Sequence, residues 1–268
     1  MLSLLFALID RFLLPARAAS RAGWLREVIY AHRGLHGPGV PENSLAAADA
    51  AIARGFGIEC DVQRSRDGQA IVFHDWTLDR LTGHAGSVGE MTAAELGGIG
   101  LLDEQGQAVA GEAIPGLRQL LDRIDGRVPL LIEVKSRAGL RIAPLCLAVR
   151  RLLEGYRGPV AVMSFDPRVP AWFRRYSPHV VHGLVVTEAG RRTLLARLKR
   201  HLALWRARPQ FLAYDIADIA NPVVRLARRR GVPVLTWTVR TPHDAERAAA
   251  HADAPIAEGP VLLAAPTP

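Results

Sequence analysis

The sequence predicts an α/β protein, a (β/α)8 TIM-type barrel of parallel strands, from three observations. Short runs rich in β-branched residues alternate with helical stretches, and this alternation is typical of a parallel sheet. The length of 268 residues suits one such barrel, and the 49% of hydrophobic residues suffices for a large core. The predicted strands span residues 28–31, 57–63, 70–74, 130–135, 160–165, 181–186, 211–215, 234–239 and 255–258.

Local signals support helices between these strands. The first predicted helix is rich in alanine, with Asn43 or Ser44 as its N-terminal cap and Gly55 at its end. The predicted helices span residues 43–54, 116–124, 142–154, 189–206, 222–230 and 242–251.

Nine predicted strands exceed the eight positions of a barrel, and the linker between the second and third strands explains the excess. Residues 64–69 contain Asp67-Gly68 and are too few for a crossover helix, so we expect an antiparallel hairpin there. A Gly-rich insertion of the barrel follows at about residues 76–115, with a short helix predicted at 92–96. The barrel domain as a whole is predicted to span residues 27–268.

Residues 1–26 are predicted to form a separate apolar, amphipathic helix, because Leu2, Leu5 and Ile9 recur at helical spacing. The apolar stretch lacks a leading positive charge and is too short to span a bilayer. Two interpretations stay open: a helix that closes the bottom of the barrel, or peripheral contact with a membrane surface. We expect a cytoplasmic protein, with the inner membrane face as the alternative location.

The charge and cysteine content exclude several function classes. The net charge is +8, but Lys135 and Lys199 are the only lysines among 34 basic residues. This arginine excess is typical of genome-wide composition bias, so no nucleic-acid partner is expected. Cys60 and Cys146 match no metal-ligand spacing and are predicted to be buried thiols.

Ionisable residues gather at the predicted strand ends, where catalytic groups of such barrels lie. Glu59 and Asp61 alternate with Cys60, so both carboxylates point to one face of their strand. Taken singly, a histidine, a strand carboxylate or a tryptophan is more often structural. Carboxylates facing a barrel interior nevertheless need a compensating cation, which favours a divalent metal. The candidate residues are His32, Arg33, Glu59, Asp61, His74, Glu133, Lys135 and Trp237.

Six stretches of the sequence resemble the glycerophosphodiester phosphodiesterase family, in the family's order. The first two are long and specific; the later ones are short. They are AHRGLHGPGVPENSLAAADAAIARG (31–55), IECDVQRSRDGQAIVFHDWTLDRLTG (58–83), AIPGLRQLL (113–121), LIEVKS (131–136), AVMSFDP (161–167) and LTWTV (235–239).

The resemblance implies a phosphoric diester hydrolase that cleaves glycerophosphodiesters to sn-glycerol 3-phosphate and an alcohol. It implies that Glu59, Asp61 and Glu133 bind one divalent cation, and oxygen ligands suit Mg²⁺ or Ca²⁺. His32 and His74 would be the general acid and base. The remaining implied roles are phosphate binding by Arg33 and Lys135, positioning of the network by Glu42, and packing against the glycerol by Trp237.

The alternatives differ in substrate or in catalysis. A lysophospholipid could be the substrate, cleaved by hydrolysis or by cyclisation at a membrane surface reached through residues 1–26. A non-catalytic barrel that binds anions or lipids is the second alternative. The sequence also departs from the resembled family at two places. Ala257-Glu258-Gly259-Pro260 stands where the family commonly has Thr-Asp-x-Pro, and Arg240 follows LTWTV where the family often has Asn.

Overall fold

A computed structural model describes residues 21–137, 139–188 and 193–265. The predicted N-terminal helix falls mostly on residues 1–20 and lies outside this range. Two compact units divide the described chain. The first unit comprises Tyr30–Val160 with the residues from Leu262 onward, and the second unit comprises the residues up to Ile29 together with Ala161–Val261.

The strands of the first unit include three parallel ones, β1 (Tyr30–Ala31), β2 (Gly57–Arg64) and β6 (Leu130–Val134), and β2 pairs with both others. Strand β3 (Ala70–Val72) pairs antiparallel with β2, which confirms the hairpin expected from the short linker. Strands β4 (Gly100–Leu102) and β5 (Ala108–Ala113) form a separate antiparallel pair that the sequence did not predict.

The second unit contains five strands, and each pairs parallel with the next along the chain. With the three parallel strands of the first unit, they give the described chain the predicted TIM-type α/β fold. The strands are β7 (Val160–Ser164), β8 (Val181–Val186), β9 (Phe211–Asp215), β10 (Val234–Val239) and β11 (Ala254–Ala257).

The six predicted helices are present, with ends that differ by a few residues. Among the helices of the described residues, none is long and apolar enough to cross a membrane. They are α1 (Leu45–Ala53), α2 (Asp79–Thr82), α3 (Ala93–Gly97), α4 (Leu117–Ile124), α5 (Ala143–Leu153), α6 (Arg168–Tyr176), α7 (Leu194–Ala207), α8 (Pro222–Arg229), α9 (Pro242–His251) and α10 (Pro260–Ala264), with 3-10 turns at Gly23–Arg26, Val88–Glu90 and Ile216–Asp218.

Helix α6 was missed because Pro170 interrupts its pattern. Pro170 lies in the first turn, where backbone N–H groups have no partner within the helix, so proline costs little there. Helix α6 then buries Val169 and Phe173 on its inner side.

The insertion predicted at about 76–115 builds a hydrophobic core of its own on β3. Helix α3 lies at the predicted position, and Thr92 caps it by accepting a hydrogen bond from the Glu95 N–H. The core joins strand residues to insertion residues, so β3 packs against the insertion while it pairs antiparallel with β2. Its members are Ile71, Phe73, Leu78, Leu81, Val88, Leu96, Ile99, Leu101 and Ile114.

Candidate active site

Three buried carboxylates of the first unit form a compact acidic cluster. Glu59 and Asp61 lie on β2, and the parallel register places Asp61 beside Glu133 of β6. Each residue offers one oxygen, and these oxygens all lie within 4.8 Å of one another. The period-two argument from the sequence therefore placed the carboxylates correctly.

Burial and mutual repulsion shift the protonation of this cluster. Burial, together with Asp61 and Glu133, raises the pKa of Glu59 well above its usual value. Burial also raises the pKa of Glu133 to about 7. Burial acts against ionisation of Asp61 too, but Lys135, the two histidines and Arg33 outweigh it and lower the pKa of Asp61 to about 2.

The cluster fits a divalent cation because all of its donors are oxygens and their negative charge is incompletely balanced. Lys135 Nζ lies 3.3 Å from Asp61 Oδ1 and 3.2 Å from Glu133 Oε1. Arg33 Nε lies 3.4 Å from Asp61 Oδ2, and the Arg33 backbone N–H donates to Glu59 Oε2 at 3.1 Å. Two side-chain cations thus face three carboxylates, which leaves one negative charge unbalanced. A hard divalent metal ion would supply the missing positive charge.

The structure brings both predicted histidines to this cluster. His32 Nε2 lies 4.0 Å from Glu59 Oε2. His74 Nδ1 lies 2.6 Å from Asp75 Oδ1, so Asp75 orients the imidazole. Burial lowers the pKa of His74, and Lys135 and Arg33 add to the effect, so its neutral form is favoured. Asp75 was not among the predicted site residues, although it directly follows His74 in the sequence.

Glu42 holds the phosphate-binding candidate Arg33 in place, and the sequence missed the residue that holds Glu42. Arg33 Nη1 donates to Glu42 Oε1 at 2.7 Å. Arg80 of α2 donates to both Glu42 oxygens at 2.9 Å and, through Nε, to Asp75 Oδ2 at 2.6 Å. Arg80 therefore links the side chains that position Arg33 and His74. Arg80 lies within the stretch 58–83 that resembles the family, but the resemblance implied no role for it.

Asn43 is a second residue whose function the sequence did not reveal. Its Nδ2 donates to Asp61 Oδ2 at 3.1 Å, and its Oδ1 accepts from the Asp61 backbone N–H at 3.2 Å. Its φ of 56° is left-handed, a region that asparagine tolerates better than most residues. The predicted alternative cap, Ser44, is the one that caps α1, accepting from the Ala47 N–H at 3.0 Å. Asn43 instead fixes the carboxylate of Asp61.

Trp237 lies on β10 of the second unit. Its ring lies 5.2 Å from the ring of Phe165, edge to face, and its Nε1 donates to the Ala213 carbonyl at 3.0 Å. The indole is thus held in a fixed orientation, and its predicted contact with glycerol stays a prediction.

The two departures from the family pattern contact each other. Arg240 Nε lies 2.5 Å from Glu258 Oε1, so the arginine after LTWTV and the glutamate after β11 form one ion pair. The carboxylate of Glu258 therefore balances the charge of Arg240. Cys60 and Cys146 are both buried thiols outside any disulfide, as predicted.

Comparisons with known proteins agree with this fold. The sequence profile of the glycerophosphoryl diester phosphodiesterase family matches residues 32–254. A glycerophosphodiester phosphodiesterase of Caldanaerobacter subterraneus is 28% identical over 233 residues, which cover 83% of this chain and 90% of the relative.

Solved structures show the same fold. An Oleispira antarctica phosphodiesterase in complex with the product sn-glycerol-3-phosphate superposes with a TM-score of 0.73 at 24% identity, covering 86% of this chain and 92% of its own. The Thermotoga maritima glycerophosphodiester phosphodiesterase superposes with a TM-score of 0.68 at 22% identity. The superposition covers 86% of this chain and 93% of that chain.

These matches define the class of the protein as a phosphoric diester hydrolase on a TIM-type barrel. More narrowly, the chain belongs to the glycerophosphoryl diester phosphodiesterase family.

Proposed function

We propose that the protein hydrolyses glycerophosphodiesters to sn-glycerol 3-phosphate and an alcohol in a reaction that depends on a divalent cation. The observation that carries the proposal is the cluster of Glu59, Asp61 and Glu133, buried and with oxygens within 4.8 Å of one another, beside His32 and His74. The product bound by the Oleispira phosphodiesterase supports the same chemistry.

Glu59, Asp61 and Glu133 would hold the cation, and Mg²⁺ or Ca²⁺ suits their oxygen donors. When bound, such an ion acts as a Lewis acid that stabilises negative charge on a phosphoryl oxygen.

Arg33 and Lys135 would bind the non-bridging phosphate oxygens, because both cations already lie beside the cluster. Glu42 would keep the Arg33 guanidinium in position, and Trp237 would pack against the carbon face of glycerol.

The two imidazoles would move the protons of the reaction. One takes a proton from the attacking water, or from the substrate's own neighbouring hydroxyl in the cyclising alternative, and the other protonates the leaving alcohol. This division needs one neutral and one charged ring. Asp75 holds His74 through Nδ1, so Nε2 is the nitrogen that would exchange a proton with substrate. The lowered pKa of His74 suits the neutral role in the free enzyme.

The test is turnover of a panel of glycerophosphodiesters after EDTA treatment, with Mg²⁺, Ca²⁺ or Mn²⁺ added back. We expect chelation to abolish turnover and at least one metal to restore it. His32→Ala and Glu59→Ala should each lower kcat by about 10²-fold or more with folding intact. The exposed residues His179 and Glu154 supply matched controls, since His179→Ala and Glu154→Ala should leave kcat unchanged. Turnover that resists EDTA would contradict the proposal.

Lysophospholipids are the second substrate class to test, because they contain the same glycerophosphodiester unit. Phosphorus-31 NMR of the products separates hydrolysis from cyclisation, since a cyclic phosphodiester and an open monoester have different shifts. Activity on lysophospholipids without activity on water-soluble diesters would make lysophospholipids the substrate class and contradict our first proposal.

A further inference from the structure

Helix α7 of the second unit exposes an apolar face. Five large apolar side chains on this helix are exposed. They are Leu194, Leu195, Leu198, Leu202 and Trp205, with exposed fractions of 60, 61, 46, 56 and 61%. Successive residues of a helix turn by about 100°, so these five side chains share one sector about 100° wide. A continuous stripe of this kind marks an interaction surface rather than scattered exposure.

The inner face of α7 explains why the leucines point outward. Arg200 is buried, and its Nη1 donates to Glu188 Oε1 at 2.7 Å. Tyr214 and Asn221 donate to the same oxygen at 2.6 and 2.8 Å. Rotating the helix to bury its leucines would leave Glu188 buried without its cation, which is strongly unfavourable. The polar network therefore fixes the apolar face toward the outside.

Basic residues border this apolar face on both sides. At 100° per residue, Lys199 and Arg206 fall beside one edge of the stripe, and Arg197 falls near the other. All three side chains are exposed. The sequence holds no aspartate or glutamate from residue 189 to residue 214. The surface is thus apolar in the middle and positive at its rims.

The neighbouring helix α6 extends the same surface chemistry. Helices α6 and α7 are in contact. The rings of Trp172 and Tyr176 lie 5.1 Å apart, and the Arg175 guanidinium lies 5.4 Å from the Tyr176 ring centroid. Tryptophan and tyrosine beside arginine are favoured at the boundary between lipid head groups and acyl chains.

We propose that α7 docks this protein on the surface of an anionic lipid bilayer. Leu194, Leu198, Leu202 and Trp205 would enter the boundary of the acyl chains, while the flanking cations meet lipid phosphates. A second copy of the chain fits the surface poorly, because an isologous contact between two α7 helices would bring their basic rims together, and residues 189–214 offer no acidic partner. The contact differs from the one expected for residues 1–26, and it does not depend on the catalytic proposal.

The test is co-sedimentation of the full-length protein with vesicles of phosphatidylcholine containing 0 to 40% phosphatidylglycerol. We expect binding that rises with the phosphatidylglycerol fraction and weakens with salt. The triple variant Leu198→Ser, Leu202→Ser, Trp205→Ser should lower the partition coefficient about tenfold or more. Leu263→Ser, at an exposed leucine outside α7, is the matched control and should bind as the native protein does. Circular dichroism checks that both variants are folded.

Each other outcome would overturn the proposal. Native protein that stays in the supernatant at every lipid composition has no such surface. Binding that survives the triple variant but is lost in Leu5→Ser, Phe6→Ser would place the membrane contact in the N-terminal segment. A native dimer that becomes a monomer in the triple variant, by light scattering, would make α7 a self-association surface.

Discussion

Asn43 offers the sharpest test of how the acidic cluster is positioned. The variant Asn43→Gly removes the side chain that holds Asp61 yet keeps a residue that tolerates a φ of 56°. Asn43 and Asp61 are 4 and 2% exposed, so water replaces the lost bonds poorly. Losing one donor to a buried carboxylate costs about 1–3 kcal/mol in the free energy of unfolding. Asn43→Ala should cost about 1 kcal/mol more, because alanine resists the left-handed conformation.

We expect Asn43→Gly to weaken metal binding by more than its loss of folding stability alone would explain. Residues that orient metal ligands typically contribute about 10–100-fold to affinity, and Asn43 contacts both the carboxylate and the backbone of Asp61. We therefore expect Asn43→Gly to weaken Mg²⁺ or Ca²⁺ binding by about that factor. Calorimetric titration of the folded variant measures the affinity, and urea unfolding in EDTA measures the stability.

Ser44 supplies the matched control for this experiment. Ser44→Ala removes the cap of α1 and should cost about 1 kcal/mol in stability, but Ser44 has no bond to a carboxylate of the cluster. It should bind metal as the native protein does. If Asn43→Gly lost stability while its metal affinity stayed within twofold of the native value, Asn43 would be purely structural and our account of Asp61 would be refuted.

Three further predictions follow from the protonation and packing of the chain. Burial raises the pKa of Glu133 to about 7, so metal binding should release protons and tighten as pH rises through 7; equal affinity by calorimetry at pH 5.5 and pH 8 would contradict this. Burial beside Arg200 lowers the pKa of His201 to about 4, below the unfolded value of about 6.5. The unfolded chain therefore binds more protons between these values. The free energy of unfolding should fall by up to about 2 kcal/mol as pH drops from 6.5 to 4, and His201→Gln should flatten that slope in urea titrations. A Cβ at Gly183 would lie 2.4 Å from the Phe211 ring, so Gly183→Ala should cost about 1–3 kcal/mol, and combining it with Phe211→Leu should recover part of the loss.

Local periodicity was sufficient to predict most of the fold and the shared face of Glu59 and Asp61, and the family resemblance added Glu133 to the acidic cluster. Glu59 and Asp61 share a face because side chains alternate along any strand, and the parallel pairing with β6 brings Glu133 beside them. The hairpin of β2 and β3 followed from linker length alone. The insertion hairpin of β4 and β5 was missed, because its residues are largely exposed and lack an alternating apolar pattern.

The residues that orient the site were harder to find than the residues that line it. Arg80 reaches Glu42 across 38 positions of sequence, and nothing in its own helical turn indicates that partner. Asn43 stands where a helix cap is common, so capping was the simpler interpretation. Both roles arise from tertiary contacts, and short sequence patterns carry no information about such contacts.

The charges of the inner cluster explain why cation and substrate would bind as a pair. Glu59, Asp61 and Glu133 carry three negative charges when ionised, and Arg33 and Lys135 supply two positive ones. Without a metal, burial is the main cause that raises the pKa values of Glu59 and Glu133, and repulsion from the neighbouring carboxylates adds to it, so protons meet the deficit. With all three carboxylates ionised, a divalent ion beside Arg33 and Lys135 leaves the cluster one charge positive. A phosphodiester carries a single negative charge, so it restores neutrality in a buried place where an excess of either sign is costly. The metal would therefore let all three carboxylates stay ionised while the cluster keeps the positive charge that a phosphodiester needs.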